Sequence, residues 1–387
     1  MVLMLLFVVI ASCDREPLEL YKKGDSEVIL KYKFEEGFND MITKYNDFHS
    51  SNPFKVNGLY VMFAKDGDKI TSSFVTDNFN LGDTEENKPK GHYNIVAMTN
   101  TFSEYEGNMS FYNTDSYEKI MAVSNTYDIS DMNAWDGGRR YLKEPIPIGV
   151  ATNTLDVTMD DEGRVFYEYN RGSDINNESQ EKELVMKPMI TTLTITVKVR
   201  GINYLKSISQ GGVDGYITGL ADGFYLTQFW RRSEVGDIKL TNWRFGGYVN
   251  SSAPRRADGD SEGDSEYKVG KIIADVQTFG LPHGRELLYQ RTEQSNFLML
   301  HFTMVNDETI DFAYNVGKMV RYEDDDGTEN ATFTKDKVAL ELNLNILAPN
   351  VDDEHVPTIP YAQPKGTGSF DAEVEDWGDD ENIDVPM

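Results

Sequence analysis

Few residues in this chain of 387 could do chemistry, because it holds only five histidines and one cysteine. His49, His92, His283, His301 and His355 are scattered. No two fall at metal-ligand spacing and there is no second thiolate, so a zinc centre is not supplied. His283 and His301 are the candidate bases for a serine nucleophile, but no serine stands in a G-x-S-x-G frame. Neither the G-x-x-x-x-G-K-[ST] nor the G-x-G-x-x-G phosphate loop occurs. Carboxylates are plentiful, at 65. A glycosidase-type pair would be hidden among them, and spacing singles out no two. The expectation is a chain without a catalytic site, cofactor or bound metal.

Two weaker chemistries have partial signatures. Asp258-Gly259-Asp260-Ser261-Glu262-Gly263 begins like a calcium-binding EF-hand loop, but its twelfth position is Val269, where a bidentate glutamate is required. Asp324-Asp325-Asp326-Gly327 and Asp160-Asp161-Glu162-Gly163 read as acidic turns. Of the four tryptophans (Trp135, Trp230, Trp243 and Trp377), Trp230 and Trp243 lie thirteen positions apart, either side of an expected hairpin. They are the candidate sugar-stacking pair, set against plain core packing. Arg255-Arg256, in a polar stretch, is a candidate protease site.

The elements that would position such residues are strands. Thr191–Arg200 (TTLTITVKVR) alternates, with Leu193, Ile195, Val197 and Val199 on one face. Val338–Leu347 alternates likewise, with Leu340, Leu342, Leu344 and Ile346 inward. Further strands are expected at Val28–Phe34, Gly58–Phe63, Ile70–Val75, Gly91–Thr99, Thr154–Met159, Tyr204–Ser209, Gly215–Phe229, Ile238–Val249, Val269–Phe279, Phe297–Val305, Ile310–Val320 and Phe370–Trp377. Glu35–His49 carries Phe38, Met41, Ile42 and Tyr45 at helical spacing. Asn87–Lys90 and Ser103–Glu118 read as loops. Strands of five to ten residues between Gly/Asp/Asn turns imply an all-β chain of antiparallel sandwiches. Half-apolar alternation argues against a parallel sheet covered on both faces.

Composition sets the surroundings. Hydrophobic residues make up 39% and aromatics 12%, enough for real cores. The net charge of −28 repels phosphate backbones, so nucleic acid is not an expected partner. One cysteine leaves no internal disulfide. No apolar run approaches the ~20 residues of a membrane-spanning helix.

Val2–Ala11 is the one unbroken apolar run, of signal-peptide length. It closes with Ile10-Ala11-Ser12-Cys13, which resembles the lipobox of bacterial lipoproteins. That resemblance implies cleavage between Ser12 and Cys13 and lipid on the Cys13 thiol. No basic residue precedes Val2, which points to a translation start upstream of Met1. The expected division is 1–12 signal peptide, 13–26 lipidated tether, 27–182 N-terminal sandwich and 183–387 C-terminal sandwich with an acidic tail. The polar stretch Gly172–Lys182 marks the boundary.

Several phrases resemble the fimbrillin-like surface lipoproteins of Bacteroidales, in particular the accessory or anchor subunits of type V pili. They are Cys13-Asp14-Arg15-Glu16-Pro17-Leu18, LYVMFAKDGD at 59–68, PKGHYNIVAMT at 89–99, Thr191–Gly201 with YITGLADGFYL at 216–226, and FDAEVEDWGDDENIDV at 370–385. The resemblance implies two transthyretin-like (Ig-like) sandwiches in a non-catalytic, surface-exposed, lipid-anchored protein of the outer membrane. It also implies pilin or other fimbrial subunits as partners, joined by donation of a β-strand. No arginine in the first half stands where proteolysis would release the N-terminal segment, which favours an anchor or accessory over a stalk subunit. The alternative function is a surface glycan-binding lipoprotein that uses exposed aromatics. A host or bacterial surface glycan or protein is therefore a further expected partner class.

Overall fold

The computed structural model describes residues 25–77, 83–128, 139, 141–159, 165–166, 180–249, 268–322, 325, 342–346 and 356–363. The first sheet has eight strands: β1 (Asp25–Phe34), β2 (Leu59–Lys65), β3 (Ile70–Thr76), β4 (Asp83–Pro89), β5 (Gly91–Thr99), β8 (Gly149–Met159), β9 (Val165–Phe166) and β10 (Gln180–Pro188). Their order is β3-β2-β5-β8-β10-β1-β4, with β9 paired to β8. The sheet rolls until its outer strands meet. Lys88 of β4 donates to Ser72 of β3 at 3.5 Å, and its ammonium lies 3.8 Å from the Phe63 ring centre on β2. Inside the roll pack Leu30, Leu59, Val61, Phe63, Tyr93, Ile95, Leu155 and Leu184.

The other face of this sheet is covered by the helix α1 (Glu36–Phe48) and by a short sheet. α1 forms because Phe38, Met41 and Tyr45 share one helical face, and all three are buried. It ends at His49, whose ring stacks on Tyr45 at 4.1 Å and whose backbone N–H donates to the Tyr45 carbonyl.

The short sheet has the order β14-β13-β7-β6. It joins β6 (Met109–Tyr112) and β7 (Met121–Ser124) to β13 (Gly223–Tyr225) and β14 (Trp230–Arg231). Strands from distant parts of the chain thus complete one sheet, called the bridging sheet below. Its inner residues, with Met62, Val96, Met98 and Val150 of the rolled sheet, make a second core.

The third core lies between two further sheets. One orders β16 (Trp243–Tyr248), β17 (Val269–Thr278), β11 (Thr191–Arg200), β21 (Leu342–Asn345) and β20 (Arg321–Tyr322); the other orders β15 (Val235–Leu240), β12 (Val213–Ala221), β18 (Phe297–Thr303) and β19 (Thr309–Asn315). Leu193, Ile195, Val197 and Val199 are all fully buried there, as the alternation in β11 requires.

The described residues are all-β apart from α1 and short 3-10 turns, and their sheets are mostly antiparallel. Two pairs depart from that pattern: β1 with β10, and β11 with β21, run parallel. These are single pairs in mixed sheets, where half-apolar strands are no obstacle. Asn87–Lys90 was expected as a loop, yet most of it lies in β4. Tyr204–Ser209 was expected as a strand, and short 3-10 turns flank it instead. Residue 182, the expected division, lies inside β10. Phe370–Trp377 falls outside the described residues. No described helix is long and apolar enough to cross a membrane.

Candidate functional site

The residues singled out in the sequence end up far apart in character. Ser12 and Cys13 lie outside the described residues, as do Trp135, Trp377, His355 and the acidic stretches at 160–163 and 258–263. Asp325 of the third acidic stretch is buried. It accepts the Leu288 N–H at 2.8 Å and faces the Arg291 guanidinium at 3.8 Å, so it is a structural charge. Burial holds the Arg291 guanidinium below its ordinary value, against the pull of Asp325. Among the described residues no cluster of three or more His, Cys, Asp or Glu could hold a metal.

Four histidines each meet a carboxylate. His92 faces Asp156 at 2.5 Å, His301 faces Asp311 at 2.6 Å, His283 faces Glu286 at 2.9 Å and His49 faces Glu144 at 3.9 Å. Glu144 joins distant parts of the chain, since its carboxylate also accepts the Gln277 N–H of β17. Burial pushes the Glu144 carboxyl above its ordinary range, although His49 opposes this. Tyr45 beneath it is pushed up to about 12, by burial and by the Glu144 charge.

Trp230 and Trp243 do not flank a hairpin. β14 pairs with β13, β15 with β12 and β16 with β17, so the two tryptophans belong to different sheets. Trp243 sits opposite Ala274 and is 8% exposed, within the third core. Its indole N–H has no acceptor. The residue lines an open cleft of about 550 Å³ with Ser207, Ser209, Thr241 and Arg244, and Arg244 is tied to Asp275.

Trp230 is 39% exposed, and its surroundings are more ordered than an exposed side chain requires. The four-residue loop from β13 to β14 is fixed from several sides. Leu226 is fully buried and its N–H bonds to the Ile120 carbonyl. Thr227 Oγ1 donates to the Tyr117 carbonyl at 2.6 Å, and Gln228 Nε2 donates to that of Glu118 at 2.8 Å. Phe229 takes φ of +55°, a left-handed backbone that a bulky residue adopts only when its neighbours enforce it. Beyond Trp230, Arg231 is buried, with its Nε–H on the Phe279 carbonyl at 2.6 Å. The His283 ring lies against the indole, with centres 3.9 Å apart. Glu286, itself buried, accepts from the Gly284 N–H at 2.7 Å and from His283 Nδ1. A carboxylate only accepts, so Nδ1 carries the proton in this contact.

Register extends this site across the bridging sheet. Trp230 pairs with Tyr225, Tyr225 with Met121, and Met121 with Tyr112. Directly paired residues share a face, so the four form one row on the outer side. Tyr112 is 50% exposed, and Met121 and Tyr225 are half-buried. The adjacent row, Phe111, Ala122, Phe224 and Arg231, faces the core. Of the outer row only Trp230 was singled out in the sequence. Tyr112, Met121 and Tyr225 left no local signal, because two-to-four-residue strands are too short to show a period.

The model of a family described as "Domain of unknown function (DUF5119)" matches residues 51–239. That span includes all four strands of the bridging sheet. No curated protein sequence matches the chain. Among solved structures, a candidate adhesin from Bacteroides ovatus is 15% identical, covers 91% of this chain and 98% of its own, and has a TM-score of 0.49. The fimbrial anchor protein Mfa2 from Porphyromonas gingivalis is 12% identical over 76% of this chain and 82% of its own, with a TM-score of 0.37. A candidate polysaccharide-binding protein from Bacteroides thetaiotaomicron is 9% identical over 83% and 89%, with a TM-score of 0.44. Fimbrial proteins of Bacteroidales are what the sequence phrases resemble.

Proposed function

We propose that the chain is a non-catalytic surface protein, held by lipid on Cys13 at the outer membrane, and an anchor or accessory subunit of a type V pilus. The observation that carries this reading is the position of β1. It begins twelve residues after Cys13. It runs between β10 and β4, and its Leu30 is fully buried. A lipid at Cys13 would therefore be attached to a strand of the core sheet through a short tether, spanning at most about 40 Å. An anchor needs such continuity, because pulling on the fibre loads the sheet and not a loose tail. Strand donation would add a partner's strand to an open edge by backbone hydrogen bonds, with side-chain alternation setting the register. β19 offers such an edge: among the described strands it pairs only with β18.

The test is fractionation of cells carrying Cys13→Ala, together with labelling by a clickable palmitate analogue. The reading expects the variant to leave the membrane fraction and lose the label. A variant that stays with the membrane, or a wild type that takes no label, ends it.

A further inference from the structure

We propose that the outer face of the bridging sheet binds a neutral polysaccharide, with Trp230, Tyr225, Met121 and Tyr112 as its stacking strip. One such residue comes from each of four adjacent strands. Strands lie about 4.8 Å apart, so the strip is ~14 Å long and nearly straight. A pyranose chain presents apolar C–H faces at regular intervals with hydroxyls at the rim, and a row of rings and a thioether on a sheet matches that pattern.

Two further observations fit a sugar. The end of the strip is built in advance: the Phe229 backbone is held left-handed, the loop is pinned by Thr227 and Gln228, and His283 is braced by Glu286. Rigid presentation of this kind lowers the ordering cost of binding. The rim is polar, with Gln228, Ser233 and Glu234 exposed, and such groups can hydrogen-bond a sugar's hydroxyls. Charge then selects within the sugars. Of the cations nearby, Arg232 is held by Asp222 at 2.8 Å and Glu234 at 3.4 Å. With a net charge of −28, the chain repels sulfated or uronic polymers.

The experiment is affinity electrophoresis of the full chain, solubilised in non-ionic detergent, through native gels containing dextran, mannan, laminarin, arabinoxylan or heparin. At least one neutral polymer should retard the wild type, and heparin should not. Trp230→Ala/Tyr112→Ala should weaken the retardation at least tenfold. Trp230→Tyr should keep most of it, and Tyr361→Ala, an exposed tyrosine outside the strip, should leave it unchanged. Unchanged thermal unfolding of the double variant separates lost binding from lost folding. Should that variant unfold early, His283→Ala serves in its place, with a smaller loss expected. The proposal falls if none of the four neutral polymers retards the chain, if heparin alone does, or if the folded double variant binds like the wild type. It falls equally if no polymer binds and the double variant instead loses a co-purifying protein subunit. None of these outcomes depends on Cys13, so failure here leaves the anchor reading standing.

Discussion

The bridging sheet carries two rows of residues one register step apart, and they have opposite fates. Phe111, Ala122, Phe224 and Arg231 face the core, with Ala122 and Phe224 fully buried and Arg231 at 2% exposure. Tyr112, Met121, Tyr225 and Trp230 face outward. Both rows are rich in large side chains, so residue type alone does not separate them. What separates them is the side of a two-residue alternation on which each falls. The inner row holds strands from distant parts of the chain against one core, while the outer row contributes little to that packing. The same contrast divides the tryptophans, since Trp243 is core material and Trp230 is presented.

The largest effect should come from breaking the inner row. Phe224→Ala removes a fully buried ring where the strands meet, a loss of about 3–5 kcal/mol. Thermal or urea unfolding measures it directly. A cost below about 1 kcal/mol would mean that the bridging sheet does not couple its strands to the core.

Buried charge sharpens the contrast, because pH acts on the inner side. The Glu144 carboxyl is held above its ordinary value of 4.5 by burial. Below that pH, folded and unfolded chains both keep the proton and burial costs nothing. As pH rises, the unfolded chain ionises first and stability falls until the folded carboxyl also titrates. Glu144→Gln keeps an acceptor for the Gln277 N–H without the charge. It should therefore raise the midpoint of unfolding by a few degrees at pH 7 and leave it unchanged near pH 4. Equal gains at both pH values would show that the charge is not the cause.

The sequence displayed the large sheets well and the bridging sheet poorly, for a physical reason. β5, β11, β17 and β18 are seven to ten residues long, enough for alternation to show. α1 was visible in the spacing of Phe38, Met41 and Tyr45. β4 (DTEENKP) has no apolar alternation, because backbone pairing with β1 holds it there. β6, β7, β13 and β14 have four, four, three and two residues. The central pairing, β7 with β13, spans about a hundred residues in sequence, and only register turns Tyr112, Met121 and Tyr225 into neighbours of Trp230. The hairpin expected between Trp230 and Trp243 failed because β15, lying between them, pairs elsewhere.

A smaller effect should isolate the strain behind Trp230. Phe229→Ala and Phe229→Gly remove the same ring, which otherwise packs on the second core and lies 5.4 Å from the Lys187 ammonium. They differ in the backbone, which glycine allows at φ +55° and alanine resists. The glycine variant should be the more stable by about 1 kcal/mol. Equal stabilities would mean that the loop relaxes out of the left-handed region, and the claim of rigid presentation would then fail.

The smallest effect belongs to the outer row itself. Tyr112 and Trp230 lie on the two outer strands of the sheet, ~14 Å apart, so their substitutions should add independently. Each is substantially exposed, and what alanine removes is chiefly the flank of each ring and, for Trp230, its tilted contact with the His283 ring. Together Tyr112→Ala and Trp230→Ala should cost under about 1 kcal/mol, a small part of the Phe224→Ala loss. A combined cost approaching that of Phe224→Ala would make both rows structural and erase the difference between the faces. A near-silent double variant leaves large aromatics on the surface of a strongly acidic protein with no folding role. Selection for contact with something outside the chain then becomes the remaining physical reason for keeping them there.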